Sequence, residues 1–233
     1  MCTFFIQSRQ GHCELCHALI PASHALCTDC LQSLPWLHHA CPRCALPLPA
    51  DASPGSLCGE CLADPPPFDR SIAPLCYRPP VNDLVSRFKY HAGLADGRLL
   101  AQILGRTVVQ TATSIQLLLP MPLHPARLRQ RGYNQAAELA RVVSQASGIP
   151  ANGRLLKRIQ EAPSQREARK RDRVRNVRSA FACAPTGLPG RVAIIDDVIT
   201  TGATARAAAM AVKKAGAGWV EIWAVARTPK PGH

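Results

Sequence analysis

Four Cys-x-x-Cys pairs fall within the first 61 residues: Cys13 and Cys16, Cys27 and Cys30, Cys41 and Cys44, Cys58 and Cys61. Two intervening residues let a tight knuckle aim both sulfurs at one point. A tetrahedral zinc ion takes four thiolates, so two knuckles close one structural site and eight cysteines make two. Consecutive pairing surrounds one ion with Cys13, Cys16, Cys27 and Cys30, and a second with Cys41, Cys44, Cys58 and Cys61. The loops between knuckles are then ten and thirteen residues. Interleaved pairing must close longer loops at greater entropic cost, so consecutive pairing is expected. Full thiolate shells leave no open position, which makes both ions structural. A module of about 60 residues buries too little surface to hold itself together, and metal supplies the difference.

Complete cysteine sets make ligands of His12, His17, His24, His38 or His39 unnecessary, and Cys2, Cys76 and Cys183 read as inert thiols outside the pattern. Eleven cysteines would also suit a disulfide-stapled secreted chain. The opening Met1–Gln7 argues otherwise. Its apolar run is three residues, Phe4 to Ile6, without a charged leader or a small-residue cleavage site. No window approaches the roughly 20 apolar residues of a membrane span. The expectation is a cytoplasmic chain whose thiols stay reduced and serve as metal ligands.

The cysteine-rich stretch stops at Asp64-Pro65-Pro66-Pro67-Phe68-Asp69. Three successive prolines continue neither a helix nor a central strand, so the boundary is expected there: residues 1–66 as the zinc-ribbon head, 67–233 as a second domain. That second part alternates strand-like and helix-like segments. Ser71–Tyr77, Gln116–Met121, Arg191–Ile195 and Trp219–Ala226 read as strands. Val81–Tyr90, Leu94–Gln110, Asn134–Ala146 and Ala203–Lys214 carry helical spacing. The alternation predicts an α/β fold, a mainly parallel sheet flanked by helices. Aromatics make up only 5% of the chain, so its core must be built from Leu, Val, Ile and Ala.

The net charge is +13, which favours anionic partners. Residues 154–178 hold ten Lys or Arg against three acids, more than half of that excess. A solvated face and a phosphate-binding surface are both consistent with such a block. It lacks aromatics, which counts against a base-stacking platform.

The most informative stretch runs from Val192 to Thr204. An apolar strand leads into Asp196 and Asp197, then Val198 and Ile199, then Thr200-Thr201-Gly202-Ala203-Thr204 and a helix. A helix N-terminus presents free N–H groups and the positive end of a dipole, and so accepts a phosphate. Gly202 allows close backbone approach. The hydroxyls of Thr200, Thr201 and Thr204 can donate to phosphate oxygens. Two carboxylates on that phosphate would be repelled, so they should face sugar hydroxyls or Mg²⁺. No Gly-x-x-x-x-Gly-Lys-Ser/Thr occurs, and Gly216-Ala217-Gly218 lacks the third glycine of a dinucleotide fingerprint.

This stretch resembles the 5-phosphoribosyl-1-pyrophosphate (PRPP) motif of type I phosphoribosyltransferases: four apolar residues, two acids, two spacers, then Thr-Thr-Gly-x-Thr. Pro120-Met121-Pro122-Leu123-His124 with Arg127 and Arg131-Gly132-Tyr133-Asn134-Gln135 resembles the second signature of the ComF/GntX branch. So do Gln165, Arg171, Asn176 and Phe181, and Phe88-Lys89-Tyr90. The cysteine head is similar to that branch's double zinc ribbon. The resemblance implies a type I phosphoribosyltransferase-like domain binding PRPP or another ribose 5-phosphate with Mg²⁺. Asp196 and Asp197 would hold ribose hydroxyls, and Val198, Thr200, Thr201, Gly202, Ala203 and Thr204 would wrap the 5-phosphate. Pro122 and Leu123, with Arg127 or Arg131, would face the pyrophosphate, and basic residues of 165–175 would form a cover.

One departure bears on substrate. Members of the wider family that act on hypoxanthine or guanine carry an Asp where this chain has Thr200, and use it for proton transfer. Salvage of 6-oxopurines is therefore not expected. Three functions follow from the resemblance: assisting single-stranded DNA handling in DNA uptake or utilisation, alongside other DNA-uptake proteins; phosphoribosyl transfer to an unidentified acceptor; or PRPP sensing.

Overall fold

The computed structural model describes residues 10–90, 93–111, 114–159 and 180–230. Cys2, Gln165, Arg171 and Asn176, and residues 160–178 of the basic block, lie outside the described residues. The chain forms two compact units, residues 1–35 and 36–233.

The first unit carries a short antiparallel hairpin, β1 (Gln10–His12) with β2 (Leu19–Pro21), and one helical turn, α1 (Thr28–Gln32). The second contains α2 (Gly59–Ala63) and the α/β body. In that body β3 (Arg70–Ile72), β4 (Leu75–Cys76), β5 (Leu117–Pro120), β8 (Arg191–Ile199) and β9 (Trp219–Arg227) form one sheet. The order is β3–β9–β8–β5, with β4 following β3 along the same edge of β9, and all pairings are parallel. A separate antiparallel pair joins β6 (Leu156–Arg158) to β7 (Phe181–Cys183).

Parallel strands need crossover connections, and the helices supply them. They are α3 (Val81–Tyr90), α4 (Leu94–Gln110), α5 (Pro125–Arg131), α6 (Gln135–Ser147) and α7 (Ala203–Lys214). The mainly parallel sheet flanked by helices matches the expected class. The α3, α4 and α7 bounds coincide with the helical periodicity of the sequence. Leu100, Leu104 and Val108 of α4 recur at four-residue intervals on its buried stripe.

Strand β8 shows why its sequence is an unbroken apolar run. Val192 and Ile194 share a core cluster with Val220, Ile222 and the α7 residues Ala205, Ala208 and Val212. Ala193 and Ile195, of the opposite parity, are equally inaccessible. Both faces are covered, so alternation is lost.

The second knuckle pair belongs to this body for the same reason. Cys41, Cys44, Cys58 and Cys61 lie in the cluster that contains Val192, Ile194 and Ile222. The proline segment after them is fastened to α7. Arg206 pairs with Asp64 at 3.2 Å and Lys213 with Asp69 at 2.6 Å, two helical turns apart on one face. Asp69 also accepts the Val220 N–H at 2.8 Å, locking the entry to β3 against β9.

Candidate functional site: the C-terminal edge of the sheet

Open parallel sheets place ligand sites at the C-terminal ends of their strands. Two such ends lie side by side here. Pro120 of β5 is in register with Ile195 of β8, and the Met121 N–H donates to the Ile195 carbonyl at 2.8 Å. The Met121–His124 turn therefore begins beside Asp196.

The two acids sit inside β8, not at its end. The strand continues through Val198 and Ile199, which pair with Ala226 and Arg227 of β9. The apolar run had suggested a strand ending at Ile195. Hydrogen bonding to β9 carries it four residues further and fixes the backbone of both carboxylates.

Beyond Ile199 the chain passes through exposed Thr200 and Thr201 to Gly202, whose φ of 78° is left-handed. A side chain is disfavoured in that conformation. Gly202 is the residue before α7, and no side-chain cap closes the helix there. Its first-turn N–H groups have no partner within the helix; the Thr201 hydroxyl accepts only a long 3.4 Å bond from Ala203 N–H. The result is an uncapped twelve-residue helix with a hydroxyl-rich rim, a geometry that suits a tetrahedral oxyanion.

The carboxylates have a partner that sequence reading quoted but gave no role. Lys89 Nζ lies 2.8 Å from Asp197 Oδ1, with both side chains mostly buried. Burial and the neighbouring Asp197 charge push the Asp196 carboxyl up to about 7, against the restraining Asp197 N–H bond and the Lys89 charge. The Asp197 N–H donates to Asp196 Oδ1 at 2.9 Å.

A chain of contacts sets Lys89 in place. Arg87 forks onto Asp96 at 2.9 and 2.7 Å, fastening α3 to α4. Gly97 of α4 lies so close to Phe88 that an added Cβ would stand 2.3 Å from its ring. The Tyr133 hydroxyl donates to the Phe88 carbonyl, and Gln135 Nε2 reaches the Lys89 carbonyl at 3.5 Å. The Phe88-Lys89-Tyr90 and Arg131–Gln135 segments, remote in sequence, are thus one assembly.

Arg131 belongs to that assembly. It donates to Gln135 at 3.2 Å and the Tyr90 hydroxyl at 3.4 Å, and lies 5.1 Å from the Tyr90 ring centroid. Arg127 is exposed on α5. Pro122 and Leu123 form the turn before α5, whose N-terminus is capped by His124 accepting the Ala126 N–H at 3.3 Å. Asn134 caps α6 and donates to the Met121 carbonyl at 3.1 Å, holding the turn from the other side.

The metal clusters are the consecutive ones. Ligand atoms of Cys13, Cys16, Cys27 and Cys30 lie within 4.8 Å of one another, as do those of Cys41, Cys44, Cys58 and Cys61. Zinc–sulfur bonds of about 2.3 Å place tetrahedral sulfurs about 3.8 Å apart. Cys16 and Cys27 sulfurs are 3.7 Å apart and those of Cys44 and Cys58 3.6 Å, so the donor sets fit zinc. Burial pushes the Cys44 thiol up to about 11 and the Cys61 thiol higher still, with neighbouring sulfurs adding to the effect. Thiolates crowded this closely repel one another, and a bound cation offsets that repulsion.

A cavity of about 330 Å³ lies where the second cluster meets this edge, between Cys61, Asp64 and Phe68 on one side and Thr201, Gly202 and Arg227 on the other. Sequence reading gave Arg227 no role. Its signal was slight: one basic residue ending an otherwise mostly apolar strand.

Residues 9–62 match the double zinc ribbon domain. The chain is 34% identical to competence protein F of Haemophilus influenzae over 178 residues, covering 73% of this chain and 78% of that one. It is 31% identical to the DNA utilization protein YhgH of Salmonella typhimurium, covering 94% and 97%. Among solved structures, a glutamine PRPP amidotransferase from B. subtilis, complexed with ADP and GMP, aligns with a TM-score of 0.39 and 20% identity. That alignment covers 55% of this chain and 26% of the amidotransferase chain.

Proposed function

For a chain that belongs to the family of competence protein F and the YhgH DNA utilization proteins, we propose that the sheet edge binds PRPP with Mg²⁺ and that the protein assists the handling of single-stranded DNA. The observation that carries the ligand is the continuous unit of β8, the left-handed Gly202 and the uncapped α7, with two carboxylates four and five residues before Thr201.

Each part has a place in that reading. The α7 amides and the hydroxyls of Thr200, Thr201 and Thr204 take the 5-phosphate. Gly202, Ala203 and Val198 shape the backbone around it. Asp196 and Asp197 accept hydrogen bonds from ribose hydroxyls; Lys89 pairs with Asp197 and holds its carboxylate in place beside Asp196. Pro122, Leu123 and Arg127 line the turn that faces the pyrophosphate, and Arg131 adds positive charge from the Tyr90 side. Hard oxygen donors such as these carboxylates suit Mg²⁺, which would neutralise pyrophosphate charge when bound with the ligand. Zinc is held by the two cysteine quartets, and the ligand edge is built from residues of the 67–233 segment.

The DNA role takes its support from the relatives' names and from the +13 charge. Phosphate contacts by basic residues release counterions, so affinity must fall steeply with salt. No helix among the described residues is long and apolar enough to cross a membrane.

The test is direct. Magnesium PRPP at about 1 mM should raise the melting temperature, because ligands that bind the native state stabilise it. Asp196→Asn with Asp197→Asn should abolish that shift. No shift in the wild-type protein overturns the ligand reading. Single-stranded DNA affinity should fall with a steep logarithmic salt slope, and replacing Arg169, Lys170 and Arg171 by Gln should flatten it. A slope unchanged by that replacement removes the basic block from the DNA role. Release of pyrophosphate on addition of one of a panel of nucleobase-like acceptors would instead identify a phosphoribosyltransferase.

A further inference from the structure

Arg227 ends β9 and is the one buried arginine among the described residues, 4% exposed. Its guanidinium binds carbonyls from separate parts of the larger unit. Nη1 donates to Ile199 O at 3.0 Å, to Thr228 O at 2.9 Å and to Thr200 O. Nε donates to Cys44 O at 3.1 Å. Ile199 and Thr200 open the loop into Gly202 and α7. Cys44 supplies one sulfur of the second cluster. A single side chain therefore connects a metal knuckle to the phosphate loop.

The neighbourhood repeats that connection. Arg43, inside the knuckle, donates to Phe68 O at 3.0 Å, and the Ser71 hydroxyl donates to Arg43 O at 2.8 Å. From the other side, Arg206 in the first turns of α7 donates to the Asp64 carbonyl and pairs with its carboxylate. The cavity beside Gly202 has its wall from Cys44 and Cys61 as well as from Thr201.

Given the sugar-phosphate site proposed above, on which this rests, we infer that the second zinc ribbon sets the geometry of that site through Arg227, so that occupancy of the second cluster and ligand affinity are coupled. Carbonyl oxygens repel a phosphate, whereas N–H groups attract it. Arg227 engages the Thr200 oxygen and, together with the Thr228 N–H, the Ile199 oxygen, and leaves the first-turn amides of α7 and the threonine hydroxyls as the groups the loop presents. Its planar fork reaches several carbonyls at once, which a lysine ammonium cannot reproduce. Cys44 fixes where the fork sits. Arg227 is a positioning residue, and the ribbon that holds it does more than stabilise the fold.

The experiment uses the full-length zinc-loaded protein, with magnesium PRPP as the probe. Arg227→Lys should keep two zinc ions per chain and cooperative unfolding, yet bind PRPP at least about tenfold more weakly, the loss of charged hydrogen bonds to the loop. Cys58→Ser with Cys61→Ser should weaken binding at least as much; Cys27→Ser with Cys30→Ser should leave it within about twofold. Coupling is reciprocal, so in the wild-type protein saturating PRPP should slow release of one zinc ion, and not the other, to a zinc-selective chelator. That measurement stands even if a variant fails to fold. Equal release of both ions with and without PRPP, or unchanged affinity in Arg227→Lys, overturns the coupling while leaving the ligand site intact. Absence of PRPP binding in the wild-type protein removes the site itself, and the coupling with it.

Discussion

Lys89 and Asp197 form an ion pair, 2.8 Å between Nζ and Oδ1, that joins the last turn of α3 to the middle of β8. It places a cation against two adjacent carboxylates that otherwise repel each other. The Phe88-Lys89-Tyr90 segment is thereby joined to the sheet edge at which the ligand is proposed to bind.

Removing that cation should be felt most when both acids are charged. Lys89→Met leaves Asp197 uncompensated beside Asp196, at a cost of about 1–2 kcal/mol, between the values for exposed and buried pairs. The cost should be larger at pH 8 than at pH 6, where Asp196 retains its proton. Urea unfolding at the two pH values reads the difference; an equal loss at both would show that charge is not the cause.

Asp196 itself gives a pH signature. Its carboxyl is raised from 3.8 to about 7 by burial and by Asp197. Between those values the folded state holds a proton that the unfolded chain has released, so stability from this group declines as pH rises from about 4 to 7 and is level above. Ligand binding runs the other way. Sugar hydroxyls require the charged acceptor, so PRPP affinity should rise from pH 6 to pH 7.5 by up to about tenfold and then level off. Calorimetric titration across that range checks it. In Asp196→Asn the decline of stability across this window should be shallower than in the wild-type protein.

Gly202→Ala isolates the phosphate loop. A Cβ there meets nothing within 4 Å, so the only penalty in the free protein is the left-handed φ of 78°. Denaturation should show a loss of about 1–2 kcal/mol. If the phosphate sits against this backbone as proposed, PRPP affinity should fall further than that loss implies, because the added methyl would stand in its way. Affinity unchanged by the substitution would place the phosphate elsewhere.

Metal analysis should find two zinc ions per chain, one per cysteine quartet. Cys13→Ser with Cys16→Ser should leave one ion and make residues 10–35 sensitive to protease, since that unit has little core beyond its metal. Cooperative unfolding of residues 36–233 should persist. Mass spectrometry of the nicked protein would identify the released segment.

Much of this molecule was legible without coordinates. The zinc quartets followed from knuckle spacing and loop closure, both local, and the cysteines of each quartet come together as that spacing demands. The helices α3, α4 and α7 followed from apolar periodicity, which reports one buried face. The Val192–Thr204 stretch declared a strand, an acid pair and a helix start in chain order.

What tertiary structure alone decided involves partners far apart in sequence. That β8 runs through Asp196 and Asp197 to Ile199 depends on pairing with β9, which no local pattern encodes. That Lys89 faces Asp197 depends on Arg87, Gly97 and Tyr133 docking α3. That the second ribbon shares a core with the sheet, while the first folds as its own unit, depends on which apolar surfaces meet. Spacing along a chain fixes which groups share a knuckle or a helix face; only packing fixes which carbonyls a buried guanidinium such as Arg227 will find.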